Sequence, residues 1–147
     1  MKLLLVNQSK DRMHRAWLAK WVKALSRQLV KNSLKNLATR ELVVVFVDPP
    51  EMRRLNLQYR GKDYPTDVLS FESGDPDVVG ELVLCWPVIC EQCQRSGLTQ
   101  RGELGYMVTH GVLHLLGFDH ERPRDQAKMF ALQDTIYAAL ERTVGLR

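Results

Sequence analysis

Glu41-Leu42-Val43-Val44-Val45-Phe46-Val47 is a β-branched, apolar run. Such a run suits the pleated surface of a packed sheet and reads as a central strand. Asp48-Pro49-Pro50 stops it, and Pro50 can open a short helix through Leu57. Upstream, Lys2 to Asn7 reads as a second short strand. Between the two, Met13 to Lys31 reads as an amphipathic helix. Trp17, Trp21, Val22, Leu25 and Leu29 follow an i, i+4 stripe, while Arg15, Lys20, Lys23, Arg27 and Lys31 cover the rest. Downstream, Asp67 to Phe71 and Glu81 to Cys85 are two further strand candidates, separated by the turn-rich Ser73-Gly74-Asp75-Pro76-Asp77. The remainder reads as helical. Pro87 to Ser96 is one helix, ended by Gly97. A longer one, with Thr99 as N-cap, runs to about Leu116 and stops at Gly117. A last helix runs from about Arg124 to Arg142, with Met129, Leu132, Ile136, Ala139 and Leu140 on one side. Early strands and late helices with no linker predict one α+β domain over residues 1–147, a small mixed sheet of about four strands packed with about five helices.

Composition agrees and excludes several classes. The 147 residues suit one domain of roughly 100–200 residues. Hydrophobic residues at 45% and charged residues at 26% exclude a disordered chain. The longest apolar runs fall far short of the ~20 residues that span a bilayer, so no membrane association is expected. Leu3 to Val6 is too short for a signal peptide's apolar region. Cys85, Cys90 and Cys93, an odd number within nine residues, argue against a disulfide framework and for a cytoplasmic location. The net charge of +4 conceals an asymmetry: residues 1–62 carry 14 Lys/Arg and 4 Asp/Glu, whereas residues 63–147 carry 7 and 13. A basic half of this kind would attract a polyanion, although solvated basic helix faces are common.

The chemistry concentrates in His110-Gly111-Val112-Leu113-His114-Leu115-Leu116-Gly117-Phe118-Asp119-His120, which holds three of the four histidines. Residues four apart share a helix face, about 6 Å apart along its axis, so His110 and His114 can reach one ion. Gly117 supplies a tight turn that lets His120 reach the same ion. Three imidazoles leave a fourth tetrahedral position open for water, as in catalytic zinc sites. The spacing H-x-x-x-H-x-x-G-x-x-H is that of the metzincin proteases. In those enzymes a Glu general base follows the first His, whereas here that position is Gly111, which weakens a protease reading.

The same eleven residues, with Leu55-Asn56-Leu57-Gln58-Tyr59-Arg60-Gly61-Lys62-Asp63-Tyr64-Pro65-Thr66-Asp67-Val68-Leu69-Ser70-Phe71 and the weaker Gly80-Glu81-Leu82, resemble the bacterial YbeY-type rRNA maturation factors, a zinc-dependent endoribonuclease family. The resemblance runs from about Glu41 to Leu140. It implies a compact α+β fold with a small mixed sheet and a zincin-like metal helix beneath it. It implies a role in rRNA processing, 16S rRNA maturation and ribosome quality control, with ribosomal RNA as the substrate. By motif match, His110, His114 and His120 would bind one Zn2+ and Arg60 would be the functional arginine of the cleft. Local departures are Phe118 for the commoner Tyr and Glu72 where Pro is frequent.

The reading that follows is a cytoplasmic, zinc-dependent endoribonuclease cutting single-stranded rRNA, with ribosome-associated proteins as further partners. Zinc would ionise water near neutral pH, and Arg60 would pair with phosphate oxygens. Asp119 is read as an outer-shell acceptor for a ligand imidazole, or else as the proton acceptor. Asn56, Tyr59 and Lys62 line the cleft or shape its turn. Three imidazoles also suit other transition metals. The competing readings are a metalloprotease and a non-catalytic ribosome assembly factor with structural zinc. Trp17 and Trp21 are assigned to the core, His14 to the surface, and Cys90 and Cys93 to buried helix positions.

Overall fold

The computed structural model describes residues 1–12, 14–32, 37, 39–118 and 122–146. The elements are β1 (Lys2–Asn7), α1 (Arg15–Lys31), β2 (Glu41–Phe46), α2 (Pro49–Arg60), β3 (Val68–Phe71), β4 (Val78–Leu84), α3 (Trp86–Ser96), α4 (Gln100–Leu115) and α5 (Pro123–Val144). The sheet has the order β1-β2-β4-β3. β1, β2 and β4 run parallel, and β3 pairs antiparallel with β4. The expected α+β class, with a mixed sheet of four strands and five helices, is what forms.

β2 is central. Successive strand residues point to opposite faces, and Leu42, Val44 and Phe46 are buried while Val43 and Val45 are half-buried. The first face joins Leu5, Leu82 and Leu84 beneath α1, α4 and α5, whose Trp21, Leu25, Val112, Ile136 and Leu140 complete the main core. The second face is covered only in part: Val47, Leu69, Val83 and Cys85 pack with Met52 of α2.

Most boundaries fall within two residues of the sequence expectation, and two differ by three. β4 begins at Val78 rather than Glu81, because Val78 and Gly80 pair with Glu41 and Leu42 across an irregular register step. The loop ahead of it is held by Ser73 and Asp75, whose side-chain oxygens accept the N–H groups of Asp75 and Asp77. α2 runs on past Leu57 to Arg60. Its stop is Gly61, at φ 68°, whose N–H donates to the Leu57 carbonyl. The apolar periodicity fades earlier, but only the glycine ends the helix.

α4 is gripped on several sides. Thr99 caps it as expected, its Oγ1 accepting the Gly102 N–H at 3.0 Å. Two glycines allow neighbours to close on its backbone. A Cβ at Gly105 would lie 2.6 Å from Cζ2 of Trp21, and one at Gly111 would lie 2.6 Å from Cδ2 of Leu82 on β4. Gly111 thus faces the sheet, and its lack of a side chain is a packing requirement.

Gly111→Ala tests this. Alanine favours a helix by about 1 kcal/mol over glycine, yet overpacking costs about 1–3 kcal/mol. The expected net loss is about 1 kcal/mol, within a range of roughly 0–2 kcal/mol, read as a lower urea midpoint at unchanged slope.

Candidate active site

His110 and His114 lie one turn apart near the end of α4. Their ring centroids are 4.5 Å apart at 82°, and the two Nε2 atoms are 3.1 Å apart. The other nitrogen of His110, Nδ1, lies 3.0 Å from Oε1 of Gln133 on α5. An amide oxygen only accepts, so Nδ1 carries the proton and the His110 Nε2 lone pair is turned to His114. Gln133 is fully buried, in the stripe Met129, Gln133, Ile136, Leu140 that α5 sets against the core. Its Nε2 has no hydrogen-bond partner among the described residues.

Both histidines line a cleft of about 380 Å³. Its opposite wall comes from the end of α2 and from β3 with its flanks: Arg60, Thr66, Asp67, Val68, Ser70 and Glu72. Asp67 is pinned at the start of β3, where Oδ1 accepts the Val68 N–H at 2.8 Å and the Thr66 hydroxyl at 3.1 Å. Arg60, the last residue of α2, is exposed. Arg53 and Arg54 of the same helix are held at 2.7 Å by Asp63 and Glu51, whereas Arg60 joins no ion pair among the described residues.

The sequence candidates separate as follows. Arg60, His110 and His114 come together in the cleft. Asp119 and His120 lie outside the described residues. Asn56, Tyr59 and Lys62 do not line the cleft, and they shape the turn beside it. Asn56 is buried, its Nδ2 donating to the Tyr64 carbonyl at 2.8 Å while its own carbonyl accepts the Lys62 N–H. Tyr59 packs edge-on against Phe71, with centroids 5.0 Å apart. Among the described residues no group of three or more His, Cys, Asp or Glu side chains is placed to hold a metal, so the described part of the site offers two imidazoles.

Elsewhere, Trp17 and Trp21 stack in the core at 5.1 Å. His14 is half-buried against Trp86, at 4.8 Å, rather than a plain surface residue. Cys90 and Cys93 are half-buried free thiols on α3. No helix among the described residues is long and apolar enough to cross a membrane.

The profile of the family described as Endoribonuclease YbeY matches residues 4–141. The chain belongs to this family. It is similar to the Endoribonuclease YbeY of Bdellovibrio bacteriovorus, 43% identical over 150 residues and covering 100% of both chains. It is also similar to that of Paraburkholderia phytofirmans, 38% identical over 136 residues and covering 90% of this chain and 82% of the relative. Among solved structures, the solution structure of a Thermotoga maritima protein superposes with a TM-score of 0.69 at 30% identity, covering 96% of this chain and 90% of that one.

Two features of this YbeY-family cleft escaped the sequence reading. Asp67 and Ser70 belong to the motif block around Arg60, but that block does not say which members face the cleft. Gln133 had a legible signal, as a polar residue at an apolar position of the α5 stripe.

Gln133→Met keeps the length of the side chain and removes the acceptor. Losing one buried hydrogen bond should cost roughly 1 kcal/mol of stability. In metal-free protein, nitrogen-15 NMR should show His110 passing from one Nδ1–H tautomer to a mixture. A single unchanged tautomer in Gln133→Met would show that Gln133 does not set it.

Proposed function

We propose that this chain is a single-strand-specific metallo-endoribonuclease acting in rRNA processing, 16S rRNA maturation and ribosome quality control, in the cytoplasm and alongside ribosome-associated proteins. The observation that carries this reading is the pair of imidazole Nε2 atoms 3.1 Å apart in a cleft whose far wall holds Arg60. Two nitrogens bound at ~2.0–2.1 Å to a tetrahedral zinc would sit about 3.3 Å apart, so the pair fits such an ion. His110 and His114 would hold it, with His120 as the third ligand on the strength of the motif.

Zinc, when bound, supplies a Lewis acid and a water ionised near neutral pH. The chain's own residues do the rest. Gln133 holds the His110 ring by its Nδ1 proton, the role that the sequence suggested for Asp119. Arg60 offers a planar fork to the non-bridging oxygens of a phosphodiester and stabilises the charge that grows there. Two carboxylates line the cleft as candidate proton acceptors. Asp67 already has one oxygen engaged, whereas Glu72 is exposed and makes no hydrogen bond among the described residues. Glu72 is therefore the better placed to accept a proton from the attacking water.

The protease reading loses further support from the fold. The position that carries the metzincin general base is Gly111, and a Cβ there would lie 2.6 Å from Leu82 Cδ2, so the packing leaves little room for a glutamate side chain.

The test uses single-stranded RNA and protein of measured metal content. His114→Ala should lose both metal and cutting, and a chelator should abolish cutting by the unaltered protein. Arg60→Ala should keep its metal and cut roughly 10²–10³-fold more slowly. Cutting that persists in His114→Ala would sink the catalytic reading. Retained metal and RNA binding without any cutting would favour a non-catalytic assembly factor.

A further inference from the structure

α1 carries five cations and no acidic residue. Lys20, Lys23, Arg27 and Lys31 recur at intervals of three, four and four, so they share one face of the helix and span about 16 Å along it. All four are exposed. The opposite face is wholly committed to the core: Trp17, Leu18, Trp21, Val22, Leu25 and Leu29 are 0–7% exposed. With no apolar face to offer, α1 is not built to insert into a lipid surface.

Among the described residues the basic face has no counter-charge at ion-pair distance. Arg53, Arg54 and Arg95 each pair with a neighbouring acid. None of the four α1 cations joins an ion pair or a side-chain hydrogen bond among the described residues. Like charges three or four apart on a helix repel and weaken it. Only Lys31, in the last turn, gains from the helix dipole. The pattern therefore costs the fold stability, and beyond that contact of Lys31 with the dipole nothing among the described residues offsets it.

The face also has a direction. Trp17 donates to the Gly145 carbonyl and Trp21 lies against Tyr137, so α1 and α5 run antiparallel. Trp17 lies beneath Arg101 and Trp21 beside Thr109, so α1 advances with α4. The Lys31 end thus lies toward the end of the molecule that holds His110 and His114.

We propose that this face of α1 is a docking track for the RNA phosphodiester backbone, holding a stretch of the substrate outside the cleft without reading its sequence. The inference rests on the RNA-cutting reading above and adds a second contact surface to it. Steps of about 6 Å between cations one turn apart suit a ladder of phosphates, and binding would release their counterions.

The experiment compares the full chain with Lys20→Gln/Lys23→Gln, Arg27→Gln/Lys31→Gln and the fourfold combination. Binding is measured against salt for a roughly 40-nucleotide unstructured RNA and for an oligonucleotide of about five nucleotides, too short to reach beyond the cleft. The salt slope for the long RNA should fall by roughly 3 in the fourfold variant and by about half that in each pair, given ~0.7 per neutralised phosphate on a single strand. Affinity for the long RNA should fall tenfold or more, with short-oligonucleotide binding unchanged and thermal stability equal or higher. An unchanged slope overturns the proposal, as does an equal loss for long and short RNA. A poly-glutamate arm covers an acidic protein partner: lost peptide binding with an unchanged RNA slope assigns the face to that partner and overturns the proposal. If the unaltered chain binds neither RNA, the RNA-cutting reading itself fails, which is a separate result.

Discussion

The close approach of α4 to its neighbours is the constraint on which the site depends. Gly105 lets the Trp21 ring lie against the helix backbone, and Gly111 lets Leu82 of β4 do the same. With both contacts made, the rotation of α4 about its own axis is settled. His110 and His114 must then face the strip between the helix and β3, where Arg60 and Asp67 also arrive. A side chain at either glycine would move the histidines with the helix, because packed interiors transmit displacement rather than absorb it.

Much of this was legible in the chain. The β-branched run at Glu41–Val47 marked the central strand, Gly97 marked a real helix end, and Thr99 marked a real cap. Helix-pair spacing placed His110 and His114 on one face. Legibility ended where the third dimension decides. The early start of β4 comes from pairing with β2 across an irregular register, which no local pattern in Val78-Val79-Gly80 announces. Tyr59 and Lys62 sit close to Arg60 in sequence, yet Tyr59 packs on Phe71 and Lys62 is drawn into the turn closed by Asn56. Periodicity marked Met129 and Ile136 as core but could not say that Gln133, lying between them, would meet a histidine 23 residues away.

The site combines parts of unequal rigidity. The imidazoles stand on a buried helix, and Gln133 holds one of them from a second helix. Asp67 is tied by two hydrogen bonds at the head of a strand. Arg60 and Glu72, by contrast, are exposed side chains at the rim. Such a division suits a site in which fixed groups define a position and mobile charged groups close on whatever enters. Neutral packing holds the inner parts in place, and long-range electrostatics governs the approach to the outer ones.

The pairing order of the strands bears on how the molecule comes to exist. β1 pairs with β2 from Lys2 to Glu41 onward, β2 pairs with β4 from Glu41 to Val78 onward, and the His110 ring is held from α5. Each link closes a long stretch of chain, and parallel pairings of this kind form slowly because chain entropy is lost before the contacts repay it. A nascent polypeptide emerging N-terminus first can assemble the sheet and most of α4 and still lack the helix that orients His110. The cleft is therefore completed only once α5 has been made, and its competence reports that the sheet, α4 and α5 have all come together.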